Sequence, residues 1–320
     1  MVTPVLVESS RAPHKKNQFG TLESRIEPVR APDAVLAELV AERRKQVEGL
    51  QKRQFEQLAE AESRGQERLK ALRNSLGKDV AHVLQEIEAR ASEDAKASEA
   101  SIKQIRSRLL APASTSILES QSALTYPQVA SFAATWVAPY YGTLHGSDGA
   151  VYWQGYNPVN IDLSDWASGS GSGLFGTGAG SFTVYMDWWF NFRTDVSRFY
   201  SQAIYVPFHG YYIVQSDDGF WDSKEAHVRM DLSAMGYQYN GKPTTVVNVF
   251  DEDSQNINVN DRFDGWRTMN YSDLLGGGDT AYLLVSSSFY VYARGGGSYA
   301  ELNFAIGSAN YIGQPLVYVS

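Results

Sequence analysis

The chain has 320 residues, which is long enough for about two domains with full cores, and 43 % of the residues are hydrophobic. It contains no cysteine, which excludes disulfides, thiolate metal ligands and a cysteine nucleophile. The net charge of −8 is unevenly divided: residues 1–110 carry 20 Lys/Arg against 17 Asp/Glu, and residues 111–320 carry 8 against 19. Because the acidic second part would repel nucleic-acid phosphates, we expect no nucleic-acid partner.

Four prolines and little periodicity indicate that residues 1–32 form an extended arm. An alternative is that the arm adds to a neighbouring subunit. Its apolar anchors would then be Val5, Leu6, Val7 and Phe19. The cations of the arm follow a very short apolar patch, which is the wrong order for a secretory signal. We therefore expect cytoplasmic synthesis without a signal peptide, with release by lysis or a specialised exporter left open.

A charged run follows in which Phe55 is the only aromatic residue, and we interpret residues 33–110 as a long helical, coiled-coil-like region. Asp33 is a good N-cap, and Pro112 forbids continuation much beyond Leu110. The seam covers 73 residues in 20 steps, about 3.65 per step, which is closer to an eleven-residue repeat than to the 3.5 of a coiled coil. The seam residues predicted to mediate oligomerisation are Leu36, Val47, Leu58, Leu69, Leu72, Leu76, Val83, Ile87, Ile102 and Ile105.

Polar side chains interrupt this seam at Arg43, Gln54 and Ser98. Gly77 permits two interpretations: one continuous helix, which the unbroken register favours, or an antiparallel helical hairpin that folds back at the glycine. In either arrangement a narrow seam cannot stabilise a lone helix in water. We therefore expect a homo-oligomer or docking on a helical protein partner.

The composition changes after a linker of residues 111–125, because all 7 tryptophans and all 19 tyrosines lie from Tyr126 onward. Aromatic enrichment with period-two alternation indicates β-strands, most clearly over residues 182–192 and 226–232. Turn signals separate the runs at Asp148-Gly149, Asp218-Gly219, Asn240-Gly241 and the glycines at 295–297. The fold class is therefore α + β multidomain, with the helical region followed by an antiparallel jelly-roll-like β-sandwich of about 9–12 strands over residues 126–320. Residues 168–181 are rich in glycine and serine and predict a flexible loop.

Aspartates beside aromatic residues recur in this β part, and sugar sites often combine carboxylates with aromatic platforms. The candidate ligand-binding residues are Trp189, Trp221, Asp222 and Trp266. A plain structural role is the competing interpretation, because Asp218 and Asp264 precede glycines and suit turns. A carbohydrate-active enzyme that uses Asp187, Asp222 and Asp264 is a further alternative, although nothing in the sequence sets the separation of the carboxylates.

No metal site and no cofactor is expected. The five histidines are scattered, and residues 251–261 lack the glycine and glutamate of an EF-hand loop, which leaves an irregular calcium site as the alternative there. The chain has no GxSxG or P-loop motif and no GxGxxG motif placed after a strand.

The sequence therefore predicts a non-enzymatic structural or binding protein. It would self-assemble or dock through its helices and present the β-sandwich to a partner or a glycan. Membrane contact is left undecided: a pore-forming toxin is an alternative, suggested by the glycine/serine-rich loop ahead of an amphipathic strand.

Overall fold

A computed structural model describes residues 26–28, 33–75, 77–110, 135–137, 139–146, 151–157, 162–170, 180–216, 224–238, 244–254, 257–305, 310–313 and 315–320. These residues form two helices and 14 strands. The helices are α1 (Asp33–Ser75) and α2 (Gly77–Leu109). The strands are β1 (Ile26–Pro28), β2 (Thr135–Val137), β3 (Tyr141–Gly146), β4 (Val151–Asn157), β5 (Asp162–Ser170), β6 (Gly180–Thr194), β7 (Arg198–Ser216), β8 (Glu225–Tyr237), β9 (Thr244–Ser254), β10 (Ile257–Leu275), β11 (Thr280–Arg294), β12 (Tyr299–Asn303), β13 (Tyr311–Ile312) and β14 (Leu316–Val319).

The strands form two sheets that pack as an antiparallel β-sandwich. Sheet A has six strands in the order β1-β6-β11-β8-β9, with β3 also on β6. Sheet B has eight strands, in which β7 pairs with β10, β12 and β14, and β5 pairs with β4 and β12. The central pairs are nested, since β8 pairs with β9, β7 with β10, β6 with β11 and β5 with β12.

Alternation along the strands builds the core between the sheets, as the period-two pattern predicts. In β6 the even-numbered residues from Val184 to Phe192 are buried in this core, and in β8 Ala226, Val228, Met230 and Leu232 are buried there too. Sheet B contributes the matching inward face of β7, with Ile204, Val206 and Phe208. The odd-numbered residues of β6 therefore face the outside of sheet A.

The turn chemistry is confirmed where the structure describes it. Gly295 and Gly297 have φ of 84° and 86°, in the left-handed region that glycine adopts without strain, and they join β11 to β12. The other three predicted turns lie outside the described residues. Both ends of the predicted loop over residues 168–181 belong to strands, because Ser170 pairs with Tyr299 in β12 and Gly180 pairs with Ala293 in β11. Residues 171–179 lie outside the described residues. Small residues at a strand end lengthen a ladder without needing space for side chains.

The two helices lie on opposite outer faces of the sandwich. Leu36 at the start of α1 packs with Trp189, Tyr237 and Leu284 on the outer face of sheet A. Ile102 near the end of α2 packs with Tyr211, Ile213 and Tyr299 on the outer face of sheet B. The first half of α1 and the second half of α2 thus contact the sandwich, whereas the helical residues between them do not share in these clusters.

In the stretch predicted to be helical, α1 begins at Asp33 and α2 ends at Leu109. This stretch contains two helices, and residue 76 between them lies outside the described residues. Of the predicted arm, residues 26–28 are described, and they pair with residues 192–194 of β6 in the same chain. The predicted anchors of the arm and the linker of residues 111–125 lie outside the described residues.

Candidate functional site

A buried ion pair fastens α1 to sheet A. Arg43 Nε donates a hydrogen bond of 2.9 Å to Asp187 Oδ2, and its Nη2 donates to Asp187 Oδ1 at 3.2 Å and to Ser286 Oγ at 3.0 Å. The side chains are 9 % and 0 % exposed. Burial alone would lower the pKa of Arg43, but the Asp187 carboxylate outweighs it and raises that pKa above its usual value. The Arg43 guanidinium therefore keeps its charge in a pair that is withdrawn from water.

A second ion pair fastens α2 to sheet B. Arg106 Nη2 donates to Glu301 Oε2 at 2.8 Å, and Glu301 is fully buried. Glu301 also accepts hydrogen bonds from Tyr299 at 2.6 Å and from Tyr211 at 3.0 Å, which compensate its loss of hydration. Burial, and then the nearby carboxylate, raise the pKa of Tyr211 far above its usual value, so its hydroxyl keeps the proton that it donates.

The polar positions of the seam are contacts with the sandwich. Besides Arg43, Gln54 Oε1 accepts a hydrogen bond of 2.7 Å from the Thr183 hydroxyl, and Ser98 Oγ donates to the carbonyl of Gly297 at 2.9 Å. A polar side chain at an apolar seam position costs stability unless it finds a partner when buried. Arg43 and Gln54 find partners on sheet A, and Ser98 finds one in the turn between β11 and β12.

The end of α2 is held by a cluster on sheet B. Arg262 Nη1 donates to the carbonyl of Leu109 at 3.2 Å, which suits the negative end of the helix dipole. The same guanidinium donates to Asp264 at 2.6 Å and 3.0 Å, and Asp264 lies 3.2 Å from Nδ1 of His209. The His209 ring stacks on Tyr311 with centroids 4.6 Å apart. Burial lowers the pKa of His209, although the Asp264 carboxylate opposes this shift.

An array of polar and aromatic side chains covers the outer face of sheet A beside α1. We call it the ladder surface, and it consists of His227, Arg229, Asp231, Asp251 and Tyr290. His227 Nε2 lies 2.6 Å from Asp251 Oδ1, and Arg229 contacts Asp231 at 2.7 Å and Asp251 at 3.4 Å. The His227 ring stands edge-on to Tyr290 with centroids 5.0 Å apart.

The ladder surface is open to solvent and internally braced. The side chains of Arg229 and Asp251 keep 45 % and 39 % of their surface exposed. Tyr290 lies parallel to Tyr292, with 6.3 Å between centroids and 8° between planes, and Asn248 donates to Asp231 at 2.9 Å. The hydrogen bond to Asp231 is the main reason that the pKa of Arg229 is raised. Charged, planar groups held by one another need little reordering to bind a ligand.

The two predicted ligand-binding residues that the structure describes, Trp189 and Trp266, lie on different sheets. Trp189 is 1 % exposed beneath α1, and no hydrogen bond is described for its Nε1. Contact between Trp189 and an external ligand therefore requires α1 to leave sheet A. Trp266 lies on sheet B, where it pairs with Pro207 of β7, and its Nε1 is buried. Trp221 and Asp222 lie outside the described residues.

Two of the three carboxylates considered for hydrolysis, Asp187 and Asp264, belong to different sheets. Asp187 belongs to sheet A and bonds Arg43, whereas Asp264 belongs to sheet B and bonds Arg262. Within the described residues, no group of three or more histidine, aspartate or glutamate side chains is placed to hold a metal ion. No helix in the described part of the chain is long and apolar enough to cross a membrane.

Several predicted oligomerisation residues are used within the chain. Leu36, Val47 and Ile102 are buried, and Ile105 is partly buried against sheet B. Leu58, Leu69, Leu72 and Ile87 are only partly buried, and Val83 is 47 % exposed. Leu76 lies outside the described residues. The buried residues lie in the parts of α1 and α2 that are docked on the sandwich. The more exposed residues lie between those docked parts.

No family model matches the sequence, and no curated protein matches it. Among solved structures, TmCBM61 in complex with β-1,4-galactotriose is 8 % identical, with 56 % of this chain and 89 % of that chain covered and a TM-score of 0.22. The enzymatically active domain of bacteriophage CBA120 tailspike protein 4 is 12 % identical, with 56 % and 19 % covered and a TM-score of 0.18. The CBM22-1 xylan-binding domain from Paenibacillus barcinonensis Xyn10C is 10 % identical, with 56 % and 92 % covered and a TM-score of 0.16. At these TM-scores the likenesses carry no inference about this chain.

Proposed function

We propose that this chain is a non-enzymatic binding protein whose β-sandwich binds a glycan through the ladder surface. The observation that supports the proposal is the side-by-side placement of an aromatic ring and braced charged groups on an open sheet face. His227, Arg229 and Asp251 offer donors and acceptors within one cluster, and Tyr290 offers a partly exposed ring. A sugar has the complementary chemistry, with C–H groups on the ring face and hydroxyls at its edge.

Each group of the ladder surface would make a different kind of contact with a sugar. The Arg229 guanidinium would donate to ring or hydroxyl oxygens, and the Asp251 carboxylate would accept from hydroxyls. Tyr290 would contact the apolar face of a sugar ring, as aromatic side chains do in mixed polar and apolar sites. Because Asp251 is shared by His227 and Arg229, a ligand meets charges that are already partly balanced.

The finer features of the fold belong to the same proposal. The nested pairing from β5–β12 inward to β8–β9 supports a jelly-roll topology for the sandwich. Docking of α1 and α2 on opposite faces supports a helical hairpin that leaves the sandwich with α1 and returns with α2. Self-association through this helical region would place more than one ladder surface in the same assembly and increase the apparent affinity for a long, repeating glycan.

A glycan array with the full chain, followed by calorimetry on any hit, tests the binding proposal. Tyr290→Ala and Arg229→Ala should each weaken binding at least tenfold, as loss of a ring contact or a charged hydrogen bond does. Phe199→Ala is the matched control, because Phe199 is 74 % exposed on sheet B. The proposal fails if no glycan binds, or if the control weakens binding as much as the ladder variants. Release of reducing sugar from a bound glycan would instead support the hydrolase alternative.

A further inference from the structure

The helical residues between the two docked ends project from the sandwich. Gln54 of α1 bonds Thr183 of sheet A, and α1 continues for 21 residues beyond it to Ser75, about 32 Å at 1.5 Å per residue. In α2, Ser98 bonds the carbonyl of Gly297, and Ala95 lies next to the same glycine. We call residues 55–75 and 77–94 the stalk. α1 and α2 contact each other directly, and Leu84 of the stalk is buried.

The stalk does not bury its own seam. Leu58, Leu69, Leu72 and Ile87 are apolar seam residues of the stalk, and each is only partly buried. Phe55 is 60 % exposed and Val83 is 47 % exposed. Two helices bury their facing residues on one side only, whereas four helices enclose a core. A second helix pair would remove the remaining seam from water.

Charge is divided along the stalk, and this division selects the partner. In α1, residues 56–62 carry three glutamates and no cation, whereas residues 64–73 carry four cations and one glutamate, a balance of +3. In α2, residues 86–94 carry four acidic residues and one arginine, a balance of −3, and residues 77–84 carry one charge of each sign. The half of the stalk near the sandwich is thus −6, and the half near residue 76 is +3.

We propose that the stalk pairs with the stalk of a second copy in antiparallel orientation to form a four-helix assembly. Antiparallel packing places each +3 half beside the −6 half of the other copy, whereas parallel packing would place like charges together. The sandwich of each copy then lies at the tip of the other stalk, so the two heads face apart. The inference rests on the proposed self-association and adds its geometry.

Sedimentation of the full chain and spin-label distances test this geometry separately. The chain has no cysteine, so Ser75→Cys carries one label, and any dipolar signal is between copies. With the two-fold axis near residue 64, the labels should be about 35 Å apart, and parallel packing would give less than about 20 Å. A monomer at micromolar concentration would overturn the self-association itself. A dimer with the short distance would overturn only the antiparallel orientation.

Charge reversal tests whether the charges of the stalk hold the two copies together. Reversal of Arg64, Arg68 and Arg73 to glutamate should raise the dimer dissociation constant roughly tenfold or more, since several favourable pairs become repulsive. The matched control reverses Arg44, Lys45 and Arg53, which are exposed in the docked part of α1 and change the net charge equally. Equal weakening by both triple variants would overturn the assignment of the stalk charges. Circular dichroism checks that the helices persist in both.

Discussion

The ion pair between Arg43 and Asp187 gives the sharpest prediction about how α1 is held on sheet A. At 2.9 Å, two unit charges attract by roughly 6 kcal/mol at an effective dielectric constant of 20, and desolvation offsets most of this gain. Removing one partner leaves the other charge buried without its ion-pair partner. We expect Arg43→Met to lower the free energy of unfolding by about 3–5 kcal/mol, because Asp187 is fully buried when α1 is docked.

The double variant separates the two causes of this loss. In Arg43→Met with Asp187→Leu, neither charge remains, so the loss should be much smaller than the sum of the single losses, with a coupling of at least about 2 kcal/mol. Urea unfolding followed by tryptophan fluorescence is suitable, because Trp189 lies under α1 and reports on its departure. An early transition without loss of the β signal would show α1 leaving first.

Arg44→Met is the control for this cycle. Arg44 bonds Glu48 at 2.9 Å, but both side chains are more than half exposed, so its loss should cost less than about 1 kcal/mol. If Arg43→Met is no more destabilising than Arg44→Met, or if the double variant is as unstable as the sum of the singles, burial of the charges is not what holds α1.

Three further predictions concern sheet B. Tyr211→Phe should destabilise the chain by about 1–3 kcal/mol in urea unfolding, because Glu301 and Asn303 both lose their bond to the buried hydroxyl. Because burial lowers the pKa of His209, the unfolded chain takes up its proton first, so stability should fall as pH drops from about 6.5 through the folded pKa, by at most about 1.4 kcal/mol per pH unit. The difference in unfolding free energy between wild type and His209→Gln should follow this window, and a pH-independent difference would contradict it. Gly210→Ala should cost about 1–3 kcal/mol or more, since a Cβ would lie 2.5 Å from Phe304 Cδ1, whereas Gly265→Ala, with nothing within 4 Å, should be nearly neutral by thermal melting.

The sequence predicts the elements well because local patterns determine them. Alternation in residues 182–192 identifies both the strand and its buried face, and Asp33 identifies the start of the helical run. The turn at Gly295–Gly297 follows from the need for positive φ. Each of these depends on residues close together in the chain.

The placement of the helices depends on contacts that no local pattern contains. Arg106 and Glu301 are 195 positions apart, and nothing in the sequence links them. For the same reason Trp189, on the outer face of sheet A, looks from its sequence like an exposed platform, whereas a helix from the other end of the chain covers it. One pattern in the sequence does indicate where the helices dock. Arg43, Gln54 and Ser98 interrupt an apolar seam, and all three contact the sandwich.

The short strand β1 has a consequence for solubility. It pairs with residues 192–194 of β6, and β3 pairs with residues 184–189 along β6, so together they occupy backbone groups that would otherwise form an open edge. Open edges invite strands of other molecules, and proline stops such growth because it has no N–H to donate. Pro28, opposite Phe192, closes the added strand in this way. A chain shortened to begin after residue 32 should therefore aggregate more readily than the full chain, even with its sandwich intact.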